Sequence, residues 1–145
     1  MGFTTLKALH LLGVFAWMAG LVGLGLVLPT SRPEDREHPL LRVVVQRLLY
    51  GCLLPGLAVA VTAGVASFLL RIDVLSRLLW MHGKLGAALL AAAASLMVGW
   101  WTIVWLHIPE QTPPRGRLRA ALWLVFLLAL ASLFFVLYRQ PGRVG

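Results

Sequence analysis

The sequence predicts an all-α integral membrane protein, a bundle of four transmembrane helices, and three observations predict it. Of its 145 residues, 60% are hydrophobic and 12% are charged, where a soluble domain carries about a quarter charged residues. The apolar residues gather in four runs, each near the ~20 residues that a helix needs to cross a bilayer. Prolines and almost all charges fall between or at the ends of these runs. Hydrocarbon offers the backbone no hydrogen-bond partner, so each run has to satisfy its own amides and carbonyls, which a helix does. Residues 1–145 are expected to form a single transmembrane domain.

The first run covers about 6–28 and ends at Pro29-Thr30-Ser31. It lacks the basic n-region of a signal peptide and exceeds the ~7–15 apolar residues of an h-region, so it reads as a retained span. The second covers about 48–70, with Pro55 near its beginning. Ahead of it, Pro39–Arg47 has the pattern of a short amphipathic helix. The third, about 78–106, is long enough to tilt or protrude, and the fourth covers about 118–138. Trp80 at one end of the third run, and Trp100, Trp101 and Trp105 at the other, have the positions of interfacial belts.

The net charge of +8 flanks apolar runs, where lipid headgroups and membrane orientation account for it. No aromatic-interleaved basic patch is present, so nucleic acid is not an expected partner. Arg32, Arg36, Arg42, Arg47, Arg115, Arg117 and Arg119 would lie on one side, and Lys7, Arg71, Arg77, Arg139 and Arg143 on the other. The excess places the first and third loops in the cytoplasm of a cell whose inner membrane holds the protein, with both termini outside. The single cysteine, Cys52, excludes an intrachain disulfide and a thiolate cluster.

Histidines carry what chemistry the chain has. Antiparallel spans put the starts of spans one and three in one leaflet, so His10 and His82 share that leaflet. Two neutral imidazoles facing each other across a bundle can hold haem iron or a metal. His107 lies 25 residues beyond His82, about 37 Å at ~1.5 Å per residue, and is excluded from that end. His38 lies in a charged loop. His82 and Lys84 are two residues apart, about 200° around a helix, so they cannot point at the same spot. Each is either a site residue or an interfacial anchor. Lys7 is one turn before His10, where its charge would disfavour a protonated imidazole. Gly13, Trp17 and Gly20 share the helical face of His10. That face serves either close helix packing or a flat macrocycle seated beside His10. Met18, Met81 and Met97 are either soft ligands or packing filler. All five acidic residues lie in loops or at their edges, so no carboxylate pair is set for acid–base work in the membrane.

Lys7-Ala8-Leu9-His10, followed by Trp17 and Ala19-Gly20, resembles the first span of the HemJ-type protoporphyrinogen oxidases, small membrane proteins related to the CopD copper-resistance family. Arg47-Leu48 with Pro55, Trp80-Met81-His82-Gly83-Lys84-Leu85, Arg119 before the fourth span, and Arg139 with Pro141 are similar to the same family. The resemblance covers nearly the whole chain in layout, through few and short motifs. It implies a four- or five-helix membrane fold, a b-type haem, and oxidation of protoporphyrinogen IX to protoporphyrin IX late in haem synthesis. It also implies a quinone or respiratory-chain acceptor, and His10 and Lys84 as the catalytic positions. Three expected motifs are absent. Gly25-Leu26-Val27-Leu28-Pro29-Thr30 replaces an arginine and a Tyr-His pair. Ser95-Leu96-Met97 stands where a histidine is expected, and Ala120-Ala121-Leu122 replaces an Asn-Glu pair.

The expected site therefore comprises His10 and His82 at one iron, Lys84 on a porphyrin carboxylate, and Lys7, Gly13 and Trp17 around the haem. Two other readings fit the same residues. One is an accessory or electron-transfer subunit of a larger respiratory or photosynthetic complex, or a homo-oligomer. The other is copper handling, as in the CopD relatives.

Overall fold

A computed structural model describes residues 2–31, 34–75, 77, 79–108 and 115–137. Helix α1 is Phe3–Thr30, and a 3-10 turn, Glu34–Glu37, leads into the short helix α2, Pro39–Gln46. The chain then runs through widened, π-type turns at Arg47–Leu53 into α3, Leu54–Leu69. One turn of helix, α4 (Ile72–Leu75), precedes α5, Leu79–His107, and the last helix, α6, is Arg115–Leu137. There is no strand among the described residues, and the four long helices form an all-α bundle.

Three of these helices are long and apolar enough to cross a membrane: Phe3–Thr30, Pro39–Leu69 and Trp80–His107, with mean hydropathies of 2.3, 2.0 and 1.8. The protein is a multi-pass membrane protein. Its surface agrees, since Leu12, Phe15, Leu26, Leu89 and Leu127 are all exposed, an arrangement that water penalises and lipid does not. Helix α6 fills the place of the fourth predicted run with 23 residues, about 34 Å of helix at ~1.5 Å per residue.

The second span differs from its expected bounds. It begins at Pro39, with Pro39–Leu69 forming one continuous rod and the amphipathic segment as its first turns. Pro39 is at the first helical position, where its missing N–H costs nothing. Pro55 has no N–H for the carbonyl of Gly51, and its ring crowds that carbonyl. The widened turns at Arg47–Leu53 precede it directly, and such turns are how a helix absorbs a local mismatch.

Helices α1 and α3 pack backbone to backbone. A Cβ on Gly13 would lie 2.5 Å from the Ala60 nitrogen, and one on Gly20 would lie 2.6 Å from the Leu53 nitrogen. A Cβ on Gly56 would run into the backbone nitrogen of Trp17. Small residues permit this approach, the usual basis of helix association in lipid. As α1 advances through Gly13, Gly20 and Gly23, its neighbour recedes through Ala60, Leu53 and Leu48, which fixes the antiparallel register. Helix α5 packs along α6, and α1 also meets α6 at Gly25 and Leu122.

Two buried polar side chains, Ser95 and Thr102, sit in the core with their hydroxyls committed. Thr102 donates to the Val98 carbonyl at 2.8 Å, and Ser95 donates to the Ala91 carbonyl at 2.7 Å. Ser95 also accepts the indole N–H of Trp17 at 3.0 Å. That bond ties α1 to α5 and gives the relative level of these two parallel helices. Trp100 lies on the surface as a belt residue would, but Trp105 is buried at 4% exposure. Its expected place in the belt is therefore corrected: it belongs to the packed core.

Candidate functional site at the His10 end of the bundle

His10 is half-buried on α1, and its ring lies against α3. Its Nδ1 stands 2.7 Å from the carbonyl oxygen of Ala60. A carbonyl only accepts, so the ring donates and the proton is on Nδ1. The other nitrogen, Nε2, then carries the lone pair, and no hydrogen-bond partner for it exists among the described residues. This is the tautomer and orientation that an iron-ligating histidine takes when a backbone carbonyl holds its far side. Gly64 makes the contact possible: a Cβ there would stand 3.1 Å from Nδ1 and 3.2 Å from Cε1.

Basic residues gather at this end, and two of them lie over one aromatic ring. Lys7 places its Nζ 4.4 Å from the centre of the Phe3 ring. Arg71, from the turn after α3, places its Cζ 4.0 Å from the same ring. Lys84 is half-buried, and Lys7 is the charge whose field reaches it. Among the described residues none of these three cations is in an ion pair. The ring quadrupole of Phe3 holds two of them, and their N–H donors remain available.

The expected divergence of His82 and Lys84 is present. Lys84 falls on the stripe of α5 that continues through the buried Ala87, Ala91 and Ser95, whereas His82 is exposed. The register bears on the expected sharing of one iron by His10 and His82. His10 is seven residues before Trp17 and His82 is thirteen before Ser95. With those two side chains bonded, His82 lies about 9 Å farther toward the helix ends at ~1.5 Å per residue. One leaflet is not one level. Lys84, by the same reckoning, is about 6 Å outward of His10 and nearly level with Lys7.

Gly13 and Trp17 also take different places from those of a haem lining. The space beside Gly13 is filled by the backbone of α3, so the small-residue face is a packing seam and a macrocycle beside it has no room. Trp17 is buried with its N–H given to Ser95. The α3 side of the His10 ring is taken up by Ala60 and Gly64, which leaves Nε2 as its only open nitrogen. A haem bound here would be held by His10 through Nε2, with Lys84 and Lys7 among the cations that could meet its carboxylates. No group of three or more His, Cys, Asp or Glu capable of holding a metal exists among the described residues.

His107 and His38 are at the other end, as expected. His107 gives its Nδ1 proton to the Ile103 carbonyl at 3.0 Å within its own helix. Sequence reasoning did not single out Ala60, Gly64, Phe3 or the Phe3–Arg71 contact. A backbone carbonyl has no sequence signature, and Arg71 reaches Phe3 only because α1 and α3 pair in one register.

No family model matches the chain, and no curated protein or solved structure matches it.

Proposed function

We propose that the protein is a haem b-binding membrane redox protein of the HemJ type, acting on a porphyrinogen in late haem synthesis. The observation that carries this reading is the His10 imidazole, fixed by Ala60 at Nδ1 with Nε2 free. In support, three cations without carboxylate partners stand beyond it toward the membrane surface, where the acidic edge of a haem would lie. The haem supplies the electron transfer. The chain's own residues bind and orient: His10 ligates, Lys84 offers a point charge to a carboxylate, and Lys7 adds to the local positive field. The membrane is proposed to be the inner one, with both termini outside. A quinone or another respiratory-chain carrier is the proposed acceptor.

A second reading is an electron-transfer subunit of a larger respiratory or photosynthetic complex. One observation favours it: the described residues around His10 include no carboxylate paired with it or with its cations, so no base is arranged to take protons from a porphyrinogen.

A reduced-minus-oxidised spectrum after haem-replete expression tests the haem reading. Wild type and His82→Ala are expected to show a b-type signal, and His10→Ala to lose it. No signal in wild type would overturn it, as would loss in His82→Ala with retention in His10→Ala. Turnover of protoporphyrinogen by the purified protein separates the oxidase from the subunit.

A further inference from the structure

A haem or porphyrin of the b type carries two propionates on one edge of its macrocycle. A site that recognises both needs two cations, displaced to the same side of the ligating imidazole. Lys84 is one, about 6 Å outward of His10. The other is either Lys7, exposed on the helix of His10, or Arg71, exposed on the turn that ends α3.

We infer that Arg71, held over Phe3, is the second carboxylate anchor, so that the site selects a porphyrin with two free propionates. The inference rests on the haem reading above and adds a specificity residue to it. Phe3 is seven residues before His10, about 10 Å outward at ~1.5 Å per residue. It carries Arg71 at 4.0 Å on its ring. Arg71 is on the turn that ends α3, the helix whose Ala60 carbonyl holds the His10 ring. The ligand-holding contact and the cation therefore ride on one rigid element. The guanidinium has no ion-pair partner among the described residues, and stacking on a ring leaves its in-plane N–H fork free for a carboxylate, which it meets in bidentate fashion. Asp73, two residues on, is exposed and is not paired with it.

The test uses the full chain in uncharged-lipid nanodiscs, titrated with haemin and with haemin dimethyl ester, and reads the Soret absorption. Wild type is expected to bind the diacid more tightly than the ester. Arg71→Gln is expected to weaken diacid binding about tenfold, the scale of one charge-assisted hydrogen bond, and to leave ester binding unchanged. Arg71→Lys should recover part of the difference, and Phe3→Leu should lose part of it. A fall in both affinities together on Arg71→Gln, or no change in either, would overturn the inference while leaving haem binding standing. A wild type that binds neither compound would overturn the haem reading, and this one with it. The same titration in phosphatidylglycerol nanodiscs covers the remaining case. If Arg71→Gln alters lipid retention and leaves the haemin-to-ester ratio unchanged, Arg71 is a headgroup anchor and the inference fails.

Discussion

The two ends of the bundle treat their polar side chains in opposite ways. At the end where α1 and α5 finish, Thr30, Ser31, His107 and Arg42 all bond to carbonyls in the last turns of these helices. Thr30 and Ser31 turn their hydroxyls back onto the carbonyls of Leu26 and Val27. His107 binds Ile103 of its own helix. Arg42 of α2 donates to the Leu106 carbonyl at 3.0 Å, one of the carbonyls that a helix end leaves without a partner. At the end where these helices begin, His10 binds across to another helix, and Lys7 and Arg71 share an aromatic ring. The first end closes helices off. The second leaves the Nε2 of His10 without a partner among the described residues, beside cations that lie over an aromatic ring.

Both ends depend on the α1–α3 seam, so the largest effect is expected there. Gly56→Ala puts a methyl into the Trp17 backbone, and both helices have to separate. We expect a loss of about 3 kcal/mol in reversible detergent unfolding, at the upper side of overpacking effects. The matched control, Gly86→Ala, meets nothing within 4 Å and should be neutral or gain up to about 1 kcal/mol from helix propensity.

Gly64→Ala separates site from scaffold. The new methyl presses on Nδ1 and Cε1 of His10, while the helix itself gains. Stability is expected to change by less than about 1 kcal/mol, whereas haem affinity falls. Equal losses in both would mean that Gly64 matters only for packing. Next in size is the tie between α1 and α5. Trp17→Phe removes the indole donor, and unfolding should register about 1 kcal/mol. A double-mutant cycle with Ser95→Ala should show the two changes to be non-additive. Smallest is the closed end. Arg42→Gln should cost about 1 kcal/mol or less, as befits an exposed side chain, and leave the haem signal unchanged. His107→Ala should stay within about 0.5 kcal/mol.

The helices were legible because hydrophobic runs of bilayer length leave the chain few alternatives. The site was legible in part. That His82 and Lys84 diverge follows from helix geometry and is present. The level of His82 relative to His10 depends on how far α5 slides along α1, and no residue in the sequence reports that slide. The Trp17–Ser95 bond does. The helix at Pro39–Arg47 was legible as an amphipathic stretch; its membership of the span was not, because Arg42 and Arg47 count as loop charges, yet a long side chain can run to a carbonyl or a headgroup from within a helix. Gly13 suited a neighbouring helix or a cofactor, and the position of α3 decides for the helix.

The claim most in need of a direct test is that the His10 ring, fixed by Ala60, is the iron ligand. The measurement is chemical rescue: the reduced-minus-oxidised spectrum of His10→Gly with and without added imidazole, beside His82→Gly. The account predicts that His10→Gly loses the b-type signal and regains it with imidazole, while His82→Gly never loses it. A His10→Gly protein that keeps its haem without imidazole would contradict the account.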